Sequence, residues 1–331
     1  METHRALDRH EQLKVVADPH RLALLRRLMA KPATITQLGA SFSRHPAWIR
    51  HHIKTLEAAG LVGLAEIRTT ANYTEKYYRA SANAFSLQML VTPDFAEKRS
   101  LVVLGSHDFA VELLADVVGR NPDVAVVPIA VGSLDGLIAL RQGYADAAGC
   151  HLIDVDTAEY NVPYIRHIFP DRSITIVTLS HREQGLIVPP GNPRALRGVE
   201  DLASGIRLVN RNHGSGTRIW LERELKRHAI PHEAVAGFED EALTHASVAA
   251  AVADGRADAG LGIRAAAEQC GHGFVSLFQE RYDLAVATDR LGEPAIQELL
   301  EPLTNAGFCK RLRSLPGYDT RHTGDTARVA G

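Results

Sequence analysis

The sequence has only three cysteines in 331 residues, Cys150, Cys270 and Cys309, and they lie far apart. No CxxC pair occurs, which argues against a zinc ribbon and against a disulfide framework. No run reaches the roughly 18 apolar residues of a membrane span, and the charged N-terminal segment lacks the apolar core of a secretory signal. We therefore expect a cytoplasmic globular protein with no membrane contact, whose cysteines contribute to packing.

Motifs of common enzymes are missing as well. The sequence has no GxSxG and no HExxH, and GSHD places Ser106, His107 and Asp108 consecutively, so these side chains cannot converge as a triad. The nucleotide-binding pattern GxxxxGK[ST] is also absent. The interpretation is a binding protein without enzymatic activity, resident cofactor or metal; an enzyme that uses an α/β cleft is the second hypothesis.

Charge is distributed unevenly along the chain, although the net charge is only −2. Residues 1–95 contain 13 Lys or Arg and 8 Asp or Glu, a net charge of +5, together with six histidines. The remaining residues carry 24 basic and 31 acidic side chains, a net charge of −7. A basic N-terminal part is compatible with a nucleic-acid partner, and equally with a surface charged for solubility.

The N-terminal part has the pattern of a helix-turn-helix followed by a hairpin. LDRHEQLKVVADPHRLALLRRLMA predicts two helices separated at Asp18 and Pro19. TITQLGASF and PAWIRHHIKTLEAAGLV predict two more helices joined by the turn SRHP, with Gly60 at the C-terminal stop. VGLAEIRTTANYTEKYYRA then alternates like two strands of a wing.

These segments resemble winged-helix regulators of the ArsR type over about the first 85 residues. The resemblance implies that a recognition helix and a wing face DNA through Ser43, Arg44, His45, Trp48, Arg50, His51, Arg68, Asn72 and Lys76. A winged helix used only for protein contacts is the alternative. The paired cysteines of metal-sensing members are missing, and the adjacent His51 and His52 point to different helix faces, so no metal site is expected.

From Ser100 onward, apolar strands alternate with helices, which predicts an α/β fold with parallel strands. Two strands run into the glycine-serine turns GSHD and GSLDG, at the strand ends where open α/β sheets bind ligands. DRSITIVTLSHREQGLIVPP predicts two strands that cross into a second lobe, and FVSLFQERYDLAVATD predicts a returning pair. We expect a DNA-binding domain at 1–95, a ligand domain at 96–320 and a flexible tail at 321–331; lobe 1 spans about 100–180 plus the C-terminal return, and lobe 2 about 186–275.

Four segments of this larger part, GSHDFAVELLA, VGSLDGLIALRQGYADAAGCHLIDVDTAEYN, REQGLIVPPGNP and VNRNHGSGTR, together resemble the cytoplasmic periplasmic-binding-protein-like domain. This domain occurs attached to winged-helix regulators and to some molybdopterin biosynthesis proteins. The resemblance implies a two-lobed type II binding fold with a ligand between the lobes, and periplasmic relatives include carriers of molybdate and tungstate.

The expected ligand site combines helix starts from both lobes, because their amides and hydroxyls can surround a small oxyanion. Its predicted residues are Ser106, Ser133, Arg182, Ser215, Gly216, Thr217 and Arg218. Arg182 and Glu183 could instead form a hinge salt bridge, and Arg218 could clamp a carboxylate such as Glu183 or Asp154. His151, Asp154, Asp156 and Tyr160 suggest either internal loop hydrogen bonds or a ligand that carries donors as well as acceptors.

The sequence therefore predicts a one-component transcriptional regulator. A homodimer would bind palindromic operator DNA and sense an oxyanion, with molybdate or tungstate as first candidates. A sensor of an organic or pterin-like ligand, and a molybdenum cofactor assembly protein, are the alternatives.

Arg50→Ala should weaken binding to a specific DNA site by about 1–3 kcal/mol if Arg50 contacts a base. If Arg50 contacts phosphate, all sequences should lose affinity alike and the salt dependence should become shallower. Gel retardation of genomic fragments at several salt concentrations measures both; unchanged retardation of every fragment contradicts this role.

Overall fold

A computed structural model of the protein describes residues 2–3, 5–7, 9–69, 73–87, 90–93, 98–154 and 156–330. The chain forms two compact units, Met1–Val91 and Thr92–Gly331. Within the described ranges, no helix has both the length and the apolar character that a membrane crossing requires.

The smaller unit consists of short helices and a hairpin. Its elements are β1 (Arg5–Leu7), α1 (His10–Val16), α2 (Pro19–Ala30), β2 (Ala33–Thr34), α3 (Ile35–Phe42), α4 (Pro46–Ala58), β3 (Val62–Thr69), β4 (Thr74–Ala80) and β5 (Phe85–Leu87).

Local caps set the starts of the helices in this unit. The Asp18 carboxylate accepts hydrogen bonds from the first amides of α2, and Thr34 forms a capping box with Gln37 at α3. The left-handed Ser43 ends α3, after which α4 begins at Pro46. The helices enclose one apolar core, and β3 pairs antiparallel with β4 as the predicted wing.

The larger unit contains the remaining elements. These are β6 (Arg99–Gly105), α5 (Phe109–Val118), β7 (Val124–Ala130), α6 (Ser133–Gln142), β8 (Ala147–Cys150), α7 (Val162–Ile168), β9 (Ile174–Val188), β10 (Leu208–Arg211), α8 (Gly216–Arg227), β11 (Glu241–Ala242), α9 (His245–Ala253), β12 (Ala259–Ile263), α10 (Arg264–Gln269), β13 (Gly273–Ala287), α11 (Pro294–Leu300), α12 (Ala306–Arg313), β14 (Tyr318–Asp319) and β15 (Thr326–Val329).

Two long strands connect the lobes of this unit. The strand order is β11-β10-β12-β9-β13-β8-β6-β7, with parallel pairing at both ends and antiparallel pairing around β9 and β13. The sequence predicts two strands in each of these segments, and this prediction is wrong. Each is one strand of 15 residues, and their shared register carries them through both lobes.

The C-terminal segment also differs from expectation. Residues 326–329 form β15, which pairs antiparallel with β9, and the Val329 side chain is buried. The flexible tail expected at 321–331 is therefore corrected to an ordered strand over this part. Burial of Val329 against the lobe 1 core supplies the physical reason.

A close backbone approach positions the turn after β6. A Cβ on Gly105 would overlap the Gly149 backbone, so only glycine permits β6 and β8 to come this close. The Ser106 amide then donates to the Gly149 carbonyl oxygen at 3.0 Å. This contact fixes Ser106 at the carboxyl edge of the sheet, where the predicted ligand site lies.

Candidate functional site

His151 is the centre of the site in the larger unit. It follows β8, its backbone N–H donates to Ser133 Oγ at 3.2 Å, and its ring Nε2 lies 2.8 Å from Ser106 Oγ. A Cβ on Gly216 would lie 2.6 Å from its Nδ1. The structure therefore brings the three predicted helix starts together, with the His151 ring between them.

A buried carboxylate holds this ring. Glu280 Oε2 lies 2.7 Å from His151 Nδ1, while Glu280 Oε1 accepts from Arg182 Nε at 2.5 Å and from Gln184 Nε2 at 2.6 Å. Burial opposes ionisation of Glu280, but Arg182 and His151 bring its pKa down to about 2. Burial lowers the pKa of His151 more than Glu280 raises it, so the ring is neutral beside an ionised carboxylate.

Arg182 is ion-paired on two sides. Besides Glu280, its Nη1 contacts the buried carboxylate of Asp108, which also accepts from the Tyr318 hydroxyl at 2.7 Å. These carboxylates raise the pKa of Arg182 despite the opposing effect of burial. Arg182 Nη2 is buried and has no hydrogen-bond acceptor in the part of the chain that the structure describes. The ion pairs join the β6–α5 turn to β9 and β13.

Arg211 carries a second buried positive charge. Its guanidinium donates to the carbonyl oxygens of Ala242 and Leu243 and contacts the His245 ring at 3.0 Å. No Asp or Glu of the described residues forms an ion pair with it. Burial, followed by repulsion from Arg182, lowers the pKa of Arg211 to about 9, and burial beside Arg211 lowers the pKa of His245. At neutral pH Arg211 is therefore a cation without a carboxylate partner.

The two lobes contact each other around this cluster. The Leu134 amide at the start of α6 donates to the Gly214 carbonyl oxygen at 3.1 Å, and Asn212 Nδ2 donates to the Val131 carbonyl oxygen at 3.1 Å. The His107 ring of lobe 1 also lies against the His245 ring of lobe 2. The GSGTR turn thus serves to close lobe 2 on lobe 1.

Within this turn, the hydroxyl groups keep their hydrogens available. Ser215 Oγ caps α8 by accepting from the Arg218 amide at 3.3 Å, and Thr217 Oγ1 accepts from Gln184 Nε2 at 3.1 Å. Ser133 Oγ likewise accepts from the His151 amide. Each hydroxyl is buried and can still donate one hydrogen bond.

Arg218 lies apart from the cluster around His151. Its three guanidinium nitrogens donate to the carboxylates of Glu222, Glu239 and Glu241 at 2.6–3.0 Å. It also stacks on Phe238 at 4.8 Å. Arg218 thus clamps carboxylates, as the alternative interpretation of the sequence suggested. The carboxylates it binds are not those of Glu183 and Asp154, which the sequence suggested.

Glu183 also has a different environment from Arg182. Glu183 forms an ion pair with Arg264, whose Nε lies 2.5 Å from Glu183 Oε2. Glu183 is therefore not paired with Arg182, and the hinge salt bridge that the sequence suggested involves Arg264 instead. Asp154 binds the amide and hydroxyl of Thr157, while the Tyr160 hydroxyl reaches the Gln279 carbonyl oxygen at 3.4 Å. The Asp154 contacts are internal hydrogen bonds of the loop, whereas the Tyr160 contact joins the loop to β13.

Among the described residues, one group of metal-ligand type occurs, His213 with Glu239 and Glu241. Both carboxylates are already paired with Arg218. This exposed group therefore has the character of an ion-pair network.

The predicted DNA-facing residues lie on the surface of the smaller unit. Ser43, Arg44, His45, Arg50, His51, Arg68 and Lys76 are exposed and Trp48 is half-buried, while Asn72 lies outside the described residues. Arg44 stacks over Trp48, and Arg68 binds Glu66. A groove of about 780 Å³ between α4 and β4 brings Arg50 and Lys76 together with Lys54, which sequence reasoning missed.

Sequence reasoning named His151 but not its central position, and it missed three buried residues of the larger unit, Glu280, Arg211 and His245. Arg211 and His245 are contact partners 34 residues apart, and His151 and Glu280 are 129 residues apart. Of the three missed residues, Arg211, directly before the GSGTR turn at a strand end, had a usable signal in the sequence.

Arg218→Ala should lower the free energy of unfolding by about 1–3 kcal/mol, since three glutamates lose one cation and their partial exposure limits the cost. Ligand affinity should change little. Urea unfolding and calorimetry measure the two effects, with the exposed Arg328→Ala as control. Unchanged stability with a large loss of affinity would place Arg218 in the ligand site instead.

Comparison with known proteins agrees with this architecture. Residues 115–304 match the PBP superfamily domain, and residues 16–63 match a helix-turn-helix domain. The uncharacterised protein YvgK of Bacillus subtilis (strain 168) is 31% identical over 68% of this chain and 73% of its own length. An uncharacterised protein encoded in the 5′ region of a 2Fe-2S ferredoxin gene of Clostridium pasteurianum is 29% identical over 32% of this chain and 95% of its own length.

The fold also matches a solved structure from Clostridium perfringens, described as a phosphate ABC transporter substrate-binding protein with bound phosphate. The match has a TM-score of 0.52 and 14% identity, and it covers 65% of this chain and 97% of that one. At this identity the likeness concerns the fold alone. The family match extends over more than half of the chain, and with it the chain belongs to the PBP superfamily and carries a helix-turn-helix domain ahead of its binding domain.

Proposed function

We propose that this protein is a one-component transcriptional regulator of the cytoplasm. Its helix-turn-helix domain binds operator DNA, and its PBP-like domain senses a small anion held between the lobes. The basic character of the N-terminal part supports the first half of the proposal. The buried guanidinium of Arg211 in the cleft supports the proposal that the PBP-like domain senses an anion.

Arg211 is the observation that carries the ligand proposal. A fully buried guanidinium without a carboxylate partner is costly in a protein interior. Among the described residues, its N–H groups reach carbonyl oxygens and a neutral histidine and no carboxylate. The attraction of Glu280, which is paired with Arg182, does not offset burial and the repulsion from Arg182. An anion bound beside Arg211 would supply the missing charge. Anion binding would therefore lower the free-energy cost of burying the Arg211 guanidinium.

The carboxylates of the cleft do not oppose such a ligand. Asp108 and Glu280 are both paired with Arg182, so an incoming anion meets paired carboxylates. Arg182 Nη2 and the hydroxyl hydrogens of Ser133, Ser215 and Thr217 are the donors still available. Arg211 and these donors replace Arg218 in the proposed ligand set, and Gly216 allows the close approach of α8.

An oxyanion accepts from cationic and hydroxyl donors alike, so molybdate and tungstate are the first candidates. Phosphate joins them because the structurally similar protein from Clostridium perfringens holds it. The second candidate is a sensor, or a cofactor assembly protein, that binds an organic molecule of pterin type. The buried oxygens Gln184 Oε1 and Asn212 Oδ1 have no hydrogen-bond partner, and they favour a ligand that also donates.

On the DNA side, the exposed residues of α4 and the wing would contact the duplex. Arg50, Lys54 and Lys76 line one groove, which Glu57 and Glu75 also line, and these three cations would contact the phosphate backbone. Two copies of the chain would read a palindromic operator, because a single winged helix makes few base contacts. A winged helix that serves protein contacts only is the competing interpretation.

Arg211→Gln should weaken anion binding by about 10- to 150-fold, the equivalent of a charge-assisted hydrogen bond of about 1.5–3 kcal/mol. Calorimetry with molybdate, tungstate, phosphate and sulfate on ligand-free protein measures this loss. Arg211→Lys, which keeps the charge, should retain part of the affinity, and Arg256→Gln on the surface of the same lobe should bind like wild type. An anion that binds folded Arg211→Gln undiminished would contradict the assignment, and no binding of any anion would favour the organic ligand.

Saturating ligand should change operator affinity by about 5- to 150-fold, the usual range of coupling between two sites. Ligand can shift DNA binding only if it binds the two states of the protein with different affinity. Fluorescence titrations of operator DNA with and without ligand test this. Equal dissociation constants would refute sensing while leaving DNA binding and ligand binding intact.

A further inference from the structure

Three buried side chains in the larger unit form a hydrogen-bonded relay that the proposed sensor does not require. Ser106 Oγ lies 2.8 Å from His151 Nε2, and His151 Nδ1 lies 2.7 Å from Glu280 Oε2. This is the order hydroxyl, imidazole and carboxylate, with both distances in hydrogen-bond range. The residues come from three separate parts of the chain, so the relay differs from the consecutive GSHD string.

The tautomer of His151 follows from its neighbours. Glu280 is ionised and can only accept, so His151 Nδ1 carries the hydrogen and donates it. Nε2 is then a free base, and the Ser106 hydroxyl donates to it. Arg182 and Gln184 bind the other oxygen of Glu280 and hold the carboxylate in place. This arrangement allows His151 to accept the Ser106 proton.

Ser106 also opens onto a pocket. A cavity of about 80 Å³ lies beside the ends of β6 and β7. Its polar lining residues are Ser106, His107, Asp108, Glu112 and Tyr282, and apolar residues complete the lining. The Tyr282 hydroxyl donates to the Ser106 carbonyl oxygen at 2.6 Å and fixes the backbone of the turn. Among the described residues, the amide of His107, the residue after Ser106, has no hydrogen-bond acceptor. An amide at this position is a suitable donor to an oxyanion.

We propose that Ser106 is the nucleophile of an acyl-transfer site that cleaves small esters with short apolar acyl groups. His151 is the general base and acid, and Glu280 is the positioning residue that orients its ring. The substrate class follows from the pocket. Pro128, Ile129 and Ala130 form the apolar part of its lining, the carboxylates of Asp108 and Glu112 disfavour an anionic acyl group, and its volume admits only a short acyl chain.

In the first step Ser106 Oγ bonds to the ester carbonyl carbon while its proton passes to His151 Nε2. The His107 amide donates to the oxygen that becomes negative. The ester C–O bond then breaks, and the leaving alcohol takes the proton from Nε2. Water then attacks the carbonyl carbon of the acyl-serine and gives a proton to Nε2. The bond between this carbon and Ser106 Oγ breaks, Nε2 returns the proton to Oγ, and the carboxylic acid is released.

Full-length protein incubated with p-nitrophenyl acetate tests the proposal. We expect nitrophenol release and an acetyl adduct that peptide mass spectrometry assigns to Ser106. Ser106→Ala should abolish the adduct, and His151→Gln should slow acylation by about 10²- to 10⁴-fold. Glu280→Gln should slow it markedly, whereas Glu280→Asp should retain part of the rate because it keeps a carboxylate. The matched control is Ser180→Ala, which removes a buried hydroxyl that makes no hydrogen bond.

Thermal unfolding of each variant separates loss of chemistry from loss of fold. Should His151→Gln or Glu280→Gln fail to fold, Ser106→Ala decides the outcome, because it removes one oxygen atom only. Acetylation elsewhere, or release that is equal in wild type and folded Ser106→Ala, would overturn the proposal. Anion binding without acylation would leave the proposed sensor intact and reject only the acyl-transfer site.

Discussion

The Glu280 carboxylate is the interaction on which the architecture of the binding domain depends. It is fully buried, and a buried carboxylate is tolerated only when its charge and its lone pairs are satisfied. Arg182 and Gln184 of β9 and His151 after β8 provide this. The register that places Glu280 opposite Arg182 is therefore also the register that carries β9 and β13 through both lobes. Loss of the carboxylate would leave Arg182 with Asp108 alone and His151 without its acceptor on Nδ1.

The backbone amides at the helix starts are used in contacts between the lobes. Most of the attraction that the cleft can still offer to a ligand therefore comes from charged side chains. The first amides of α6 and the cap of α8 are used for closure and for capping, as the contacts of Leu134 and Ser215 show. Among the described residues, Arg211 is left without a carboxylate in ion-pair contact. In the proposed sensor, a ligand would therefore be recognised through this cation and through the hydroxyl hydrogens of Ser133, Ser215 and Thr217, rather than through helix dipoles alone.

Local features of the fold could be predicted from the sequence, and features that depend on distant partners could not. Pro46 and the cap at Asp18 mark the helices of the DNA-binding unit, and the turns at Ser106 and Ser133 mark the strand ends, because each signal lies within a few residues. The continuity of β13 was missed because GFVSLFQERY is polar in its middle, where Glu280 faces the cluster instead of solvent. The acidic partners of Arg218 could not be identified from the sequence, because they lie up to 23 residues further along the chain.

The proposed sensor and the proposed acyl-transfer site share one cleft and Arg182, but they otherwise draw on different groups. The Ser106 hydroxyl donates to His151, so it cannot at the same time donate to an anion at Arg211. Among the anion donors, Arg211, Ser215 and Thr217 belong to lobe 2 and Ser133 to lobe 1, whereas the pocket of Ser106 lies beside the ends of β6 and β7 in lobe 1. The His107 ring lines that pocket and contacts His245, which in turn contacts Arg211. These two rings are therefore the contact through which an anion in lobe 2 would alter the environment of Ser106 in lobe 1.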